Sequence, residues 1–334
     1  MERIMRLSAY ERAGLIAAAA RNLGLGEAIV EKDLWVTYFL DYLFSRCPHK
    51  GEFEFKGGTS LSKCYGLIDR FSEDLDIVIS AKAIGMDLSP LLLKGTSRNK
   101  RELFAKEANE RAMGFLENEL IPAMKRDCER ELGAQLSFEL VKEDLAFYVG
   151  YPASYGDHYL LPRLKFEMSS LSALLPSETR NVKPLLFEAL PALDDGKERT
   201  VRVLSPERTF WEKAMILHQE AHRETGPMPR RYSRHYYDVA KIYRSPIGEK
   251  TLANLSLMEE VRTFTEAFYN RAWAKFNEAK PGSFRLYPNE SQIDGLRKDY
   301  AEMGKMIFDK RAPSFEEILC VLTEIEGKIN GGNR

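Results

Sequence analysis

Two short runs in this chain could together handle phosphate and metal. FEFKGGTSLSK places Gly57, Gly58, Thr59 and Ser60 directly after a strand-like run, and the stretch ending SEDLDIVIS places Asp74, fourteen residues beyond Ser60, and Asp76 on either side of one leucine. Two glycines permit a turn in which backbone approaches a ligand closely, and Thr59 or Ser60 can cap the helix LSKCYGLI. A strand, a glycine turn and a helix start point amide donors at an anion. Residues two apart on a strand share a face, so Asp74 and Asp76 project together while Leu75, Ile77 and Ile79 point into a core. Two carboxylates on one rigid face repel unless a cation lies between them. Mg²⁺, or Mn²⁺ in its place, suits such oxygen ligands and keeps positions open for phosphate oxygens. Either half alone is also what an ordinary turn or a solvated strand end looks like. Their order, spacing and shared context give the pair its weight.

The elements around them predict an α+β protein. From Leu7 to about Phe44 apolar residues recur at helical spacing, with Ser8 placed to cap the first helix and VEKDLWVTYFLDYLF forming a second. From Gly51 to about Leu204 short β-rich runs dominate: FEFK, LDIVIS, AQLSFELV, LAFYVGY, YLLPRLKFEMS, VKPLLFEAL and TVRVL. One long helix, roughly Ser97 to Leu132, interrupts them, with Ser97 as its cap. After Ser205-Pro206-Glu207, a serine cap followed by proline at the first helical position, the chain is helix-patterned to Lys328. The expected organisation is an N-terminal helical segment (1–50), a mixed-sheet core (51–204) and a C-terminal helical domain (205–334), with a frayed Gly-Gly-Asn-Arg end.

Composition sets limits on partners. The 334 residues are 44% hydrophobic and 30% charged, the balance of a globular chain with room for two domains. Cys47, Cys64, Cys128 and Cys320 form no CxxC pair, which argues against a disulfide framework or a thiolate zinc site and for a cytoplasmic location. The N-terminus reads as an amphipathic helix, not a signal peptide, and no apolar run has the ~18 to 20 residues of a membrane span, so no membrane association is expected. With a net charge of −1, nucleic acid would need a local basic patch. Lys94–Lys106 and Arg223–Arg234 are the two candidates, the second with Tyr232, Tyr236 and Tyr237 close by. Arg230 and Arg231 would contact RNA phosphates there.

GGTSLSK followed by RFSEDLDI resembles the glycine-serine and paired-aspartate signature of the DNA polymerase β-like nucleotidyltransferase superfamily. Within it the chain is most similar to the AbiEii-type abortive-infection toxins, through VEKDLWVTYFLDYLF, SPERTFWEKAMILHQEAH and SRHYYDVAKI as well, a span of roughly Val30 to Tyr243. Metal-assisted phosphoryl transfer calls for a third carboxylate from a neighbouring strand. In RLKFEMS, Lys165 and Glu167 share a face, and the pattern and family position favour Glu167 over Glu139 and Glu188. The resemblance makes Lys213, near the apolar face of its helix, a triphosphate clamp or leaving-group stabiliser in place of a snorkelling lysine. It also makes Arg234 and Asp238 site residues. His235 stands where many relatives have another aspartate, and Asp238 could orient Lys213, orient Arg234 or brace the helical domain.

The implied function is transfer of a nucleotide from an NTP to an RNA acceptor, with a tRNA 3′ end as one candidate, by a toxin silenced by a cognate antitoxin. Gly57, Gly58, Thr59, Ser60, Lys165 and Arg234 would hold the nucleotide, and Asp74, Asp76 and Glu167 the metal. The rivals are a nucleotide-binding regulator without transfer activity and an enzyme that modifies protein hydroxyls. His218 and His222, four apart without the HExxH order, read as two exposed helical histidines. No GxSxG elbow or GxxxxGK[ST] loop occurs.

Overall fold

The computed structural model describes the chain apart from residues 73, 88–96, 134–135, 157–159, 171–175, 225, 227, 270, 309–310 and 332–334, and gives only the backbone at 98 and 305. Lys94 to Thr96 of the first basic stretch, Thr225 and Pro227 of the second, and the last three residues of the chain therefore lie outside the described residues. Two compact units form: Met1–Cys64 with Ser72–Leu204, and Tyr65–Phe71 with Ser205–Arg334. The N-terminal helices belong with the sheet, and the segment between the glycine turn and the aspartates belongs with the C-terminal helices.

The first unit contains, in chain order, α1 (Glu2–Met5), α2 (Ala9–Leu23), α3 (Glu27–Asp41), β1 (Phe53–Lys56), α4 (Gly57–Lys63), β2 (Asp74–Ile79), α5 (Arg98–Phe115), α6 (Ile121–Leu132), β3 (Ser137–Val141), β4 (Ala146–Gly150), β5 (Arg163–Ser169), β6 (Ser177–Asn181), α7 (Leu185–Ala189) and β7 (Thr200–Leu204). The strands form one mixed sheet in the order β3-β4-β5-β2-β1-β7-β6. At its centre β2 runs antiparallel to β1 and parallel to β5. Alternation along these strands separates two faces. Leu75, Ile77, Phe147 and Phe166 are fully buried on one, where Phe147 and Phe166 stack at 4.5 Å and Phe39 of α3 meets Phe166 edge-on at 5.6 Å. The other face carries Asp74, Asp76, Lys165 and Glu167.

Local signals account for most boundaries. Ser8 and Glu11 form a reciprocal capping box at the start of α2, and Gly24 closes that helix in the left-handed region. Ser97 accepts from the Lys100 amide, and a π-helical turn, Leu116–Leu120, joins α5 to α6, so the long helix is one run with a widened turn. The charged residues at the start of α3 act as buried latches. Glu31 accepts from the amides of Ser154 and Tyr155 at 2.8 and 2.9 Å, and Lys32 donates to the Leu161 carbonyl at 3.1 Å. Asp33 takes the Leu185 amide at 2.7 Å and the Lys63 ammonium at 2.5 Å, which ties α4 to α3.

Two expectations are corrected. VKPLLFEAL is not a strand. Its LLFEA is a short helix after Pro184, with Leu186 and Phe187 buried and the first amide held by Asp33, so Glu188 is on a helix. The strand in that part of the chain is the polar SETRN, an edge strand that pairs with β7 and is largely exposed, so it needs no apolar face. Neither Thr59 nor Ser60 caps a helix, because α4 already starts at Gly57.

The second unit contains α8 (Pro206–Ala221), α9 (Ser233–Arg244), α10 (Gly248–Ala253), α11 (Leu255–Phe268), α12 (Glu290–Met303) and α13 (Phe315–Gly331). Ser205 accepts from the Arg208 amide, with Pro206 at the first helical position of α8. Among the described residues no single helix is long and apolar enough to cross a membrane.

Replacing Asp33 with alanine strands the Lys63 ammonium in a site where the two side chains are 8% and 5% exposed. Removing one partner of such a pair costs roughly 3 to 5 kcal/mol. Urea unfolding of Asp33→Ala should show a loss of that order, and a loss below about 1 kcal/mol would mean the pair is not a latch.

Candidate functional site

The register of β2 and β5 decides which side chains share the polar face of the sheet. Asp74 lies opposite Lys165 and Asp76 opposite Glu167. On the far side of β2, Lys56 lies opposite Asp76, and beyond β5, Tyr148 lies opposite Lys165. One row therefore reads Lys56, Asp76, Glu167, and the next Asp74, Lys165, Tyr148. Of the three candidate glutamates, Glu167 is the one adjacent to an aspartate. Glu139 is on β3, two strands farther out, with Arg163 3.9 Å away, and Glu188 is on α7.

Lys165 Nζ is 2.6 Å from Glu167 Oε1. Partial burial pulls this ammonium down, but the hydrogen bond and charge of Glu167, helped by Tyr148 and Asp74, outweigh it and hold the lysine above its ordinary value. Lys165 is thus a charged counter-ion at the centre of the acidic face. Sequence reasoning missed Lys56. Its signal was the alternation in FEFK, which turns Phe53 and Phe55 inward and so places Glu54 and Lys56 on the aspartates' side.

The glycine turn and the aspartates meet directly. Gly57 has φ +80°, in the left-handed region, and a Cβ there would lie 1.9 Å from Asp76 Oδ2 and 2.6 Å from its Cγ. No other residue type allows both the backbone angle and that carboxylate position. Thr59 Oγ1 reaches the Asp74 carbonyl at 2.6 Å and that of Ser72 at 3.1 Å, which pins α4 to the start of β2. Ser60 Oγ donates to the Gly57 carbonyl at 2.8 Å and holds the turn from within. Both hydroxyls are buried, as is Gly58.

Among the described residues no three acidic, histidine or cysteine side chains are drawn together into a ready-made metal cage. Mg²⁺ rarely uses one. It dehydrates reluctantly and is held by one or two carboxylates with water and substrate phosphates. Asp74 and Asp76, two hard anionic ligands on one face, fit that mode, with Glu167 beside Asp76 engaged by Lys165.

The helical unit builds a second charged cluster. Asp238, on α9, is fully buried. Arg70 donates to both its oxygens, from Nε and Nη2, each at 2.7 Å, and Lys213 Nζ, on α8, lies 2.9 Å from Oδ2. Burial pushes the Asp238 carboxyl up, but Arg70 and Lys213 outweigh it and hold it far below the usual carboxylate range. Burial is also the main cause that lowers the Lys213 ammonium, with Arg70 and Arg234 adding to it and Asp238 opposing. His235 is held well below its ordinary value by burial and by the positive charges of Lys213 and Arg234, so its ring is neutral. Lys213 is therefore no snorkelling lysine, and Asp238 grips Lys213 and Arg70. The sequence signal for Arg70 was its place in RFSED, four positions before Asp74.

One further expectation is corrected in this unit. His218 and His222 are buried, not exposed. His218 Nδ1 accepts from the Arg285 amide at 3.1 Å, leaving Nε2 to donate to the Lys275 carbonyl at 3.1 Å, and His222 Nδ1 bonds the His218 carbonyl at 2.9 Å. Burial lowers His218 to about 4, so it is a neutral brace. In the second basic stretch, Arg230 is exposed. Arg231 has φ +63° and gives its amide to Asp299 Oδ1 at 2.6 Å. Asp299 also accepts from the amide and hydroxyl of Ser233, so it serves as the cap of α9.

A profile of the family described as nucleotidyl transferase AbiEii toxin, type IV TA system, matches residues 38–320. No curated protein matches the chain. Among solved structures the chain is similar to MenT4, a nucleotidyltransferase toxin from Mycobacterium tuberculosis H37Rv, at 18% identity and a TM-score of 0.47, over 92% of this chain and 98% of that one.

Gly57→Ala should cost about 1 to 2 kcal/mol from left-handed backbone alone, plus the cost of displacing Asp76. In an Asp76→Ala background, where the carboxylate is gone, the same change should cost less. A double-mutant cycle by urea unfolding measures the difference, and equal costs in both backgrounds would rule out the close approach.

Proposed function

Because the chain belongs to the AbiEii family of nucleotidyl transferase toxins of toxin–antitoxin systems, we propose that it transfers a nucleotide from an NTP to an RNA acceptor at the face formed by Asp74, Asp76 and Glu167, with Mg²⁺ or Mn²⁺ as the cation. The observation that carries this reading is the β2–β5 register, which sets Glu167 beside Asp76 and leaves Asp74 two residues along the same face. A divalent cation held by Asp74 and Asp76 would supply charge neutralisation for the nucleotide phosphates.

The chain's own residues do the rest. The amides of the Gly57–Gly58 turn approach the phosphates, and Thr59 and Ser60 keep that turn in shape through bonds to backbone carbonyls. Lys165 places a positive charge between Asp74 and Glu167, where it can orient a phosphate oxygen. In the transfer, the acceptor hydroxyl oxygen forms a bond to the α-phosphorus, and the bond from that phosphorus to the bridging oxygen breaks, releasing pyrophosphate. The hydroxyl proton passes to a carboxylate of the acidic face. Lys213, held by Asp238, is assigned to balancing phosphate charge, with Arg234, one helical turn before Asp238 on α9, as a further cation. Arg230 and Arg231 are assigned to the RNA backbone, and a tRNA 3′ end is the acceptor to try first. Family membership implies a cognate antitoxin as partner, and the reaction is placed in the cytoplasm, where NTPs and RNA are found.

The test is incubation of the protein with each α-³²P-labelled NTP, Mg²⁺ and either total RNA or cell extract, alongside Asp74→Asn and Asp76→Asn. An amide keeps the shape of a carboxylate but loses the charge that holds the cation. Label should enter RNA with the wild type and fall at least roughly a hundredfold in both variants, which should remain folded. Label in protein would instead identify a protein-modifying enzyme, and nucleotide binding without transfer a regulator. Undiminished transfer in both variants would sink the site.

A further inference from the structure

Arg70 stands thirteen positions after Gly57 and four before Asp74, yet its segment, Tyr65–Phe71, belongs with the helical unit. The segment is held there from several sides. Arg70 and Ile307 form an isolated antiparallel bridge. The Phe71 amide donates to Met306 and the Phe308 amide to Asp69, each at 2.7 Å, and Lys241 Nζ is 2.6 Å from Asp69 Oδ2. This anchoring delivers a guanidinium, 4% exposed, to a carboxylate with no exposure at all.

We propose that Arg70 is a positioning residue of nucleotidyl transfer: its fork takes both oxygens of Asp238, so that the carboxylate cannot pivot and Lys213 is fixed against the one oxygen the two cations share. The proposal rests on the assignment of Lys213 to phosphate charge made above. Planar bidentate pairing fixes orientation as well as charge, which a lysine in place of Arg70 would not do. Asp238 alone, with two oxygens and one ammonium partner, would leave Lys213 two ways to bind. With Arg70 in place there is one.

The same geometry sets the charge around Lys213. Facing it are Asp238, Arg234 and the neutral His235 from α9, and Arg70 from the inserted segment. Among the described residues, Arg70 and Arg234 oppose its protonated form while Asp238 favours it, with burial the largest cause against it. Lys213 must be protonated to balance phosphate charge, so transfer should fail on the alkaline side as it loses its proton. Removing the Arg70 charge favours the protonated form and moves that limb to higher pH.

The experiment is the pH dependence of labelling by the full-length protein, with a mixture of the four α-³²P NTPs, Mg²⁺ and heat-treated cell extract as acceptor, for the wild type, Arg70→Gln, Arg70→Lys and Lys213→Met. Arg70→Gln should lose roughly 10- to 100-fold in rate and shift its alkaline limb upward. Arg70→Lys, which keeps the charge and loses the fork, should lose rate with the limb in place. Should Arg70→Gln fail to fold, Arg70→Lys decides: lost rate with the limb in place supports the proposal, and a wild-type rate or a limb moved with the charge retained overturns it. Wild-type rates in the Arg70 variants, a uniform loss in Arg70→Gln with an unmoved limb, or a wild type without an alkaline limb would overturn the proposal. Lys213→Met separates the two layers: a wild-type profile there defeats the assignment of Lys213 and the proposal with it, whereas its inactivity beside indifferent Arg70 variants defeats the proposal alone.

Discussion

The Asp76 carboxylate stands where any side chain at Gly57 would have to go, its Oδ2 1.9 Å from the place of a Cβ. That single exclusion joins the end of β1, the turn into α4 and the middle of β2 into one construction. The left-handed backbone at Gly57 redirects the chain from strand to helix, and α4 is then pinned by Thr59 to the start of β2 and by Lys63 to Asp33 on α3. The two halves of the glycine–aspartate motif are thus packed against each other. Each keeps the other's position, so the glycine turn and the Asp76 carboxylate move as one piece.

The proposed cation site would be unfinished without substrate. Two aspartates on one face are too few for a closed Mg²⁺ cage, and the neighbouring Glu167 is occupied by Lys165. In the proposed reaction nucleotide phosphates would supply the missing oxygens, which would couple cation and nucleotide binding. The helical unit stores its charge in the opposite manner. Arg70, Lys213 and Asp238 are desolvated together, and taking Asp238 away would leave two buried cations uncompensated, a cost of about 3 to 5 kcal/mol. That stake keeps the cluster in one arrangement.

Much of this was legible in the sequence because it rests on local rules. Strand alternation placed Asp74 with Asp76 and Lys165 with Glu167, and the serine caps marked the starts of α2, α5 and α8. What was not legible depends on long-range packing. Nothing in LLFEA distinguishes a buried strand from one turn of helix until Asp33, more than a hundred positions earlier, takes its first amide. SETRN has no apolar face because an edge strand is held by its backbone ladder. Nothing in RFSED announces that Arg70 grips Asp238, 168 positions on, and that contact appears only when its segment is found with the helices. His218 and His222 looked solvated because no nearby residue announces the carbonyl and amide, some sixty positions on, that hold the first ring.

The central claim is that Asp74 and Asp76 hold a divalent cation that the nucleotide completes. The most direct measurement is Mn²⁺ binding by water-proton relaxation, with and without a non-hydrolysable NTP analogue, in the wild type and in a folded Asp74→Asn, Asp76→Asn double variant. The account predicts a protein-bound Mn²⁺ signal in the wild type that strengthens at least roughly tenfold in affinity with the analogue and is lost in the double variant. Equal Mn²⁺ binding by both proteins in the presence of the analogue would contradict it.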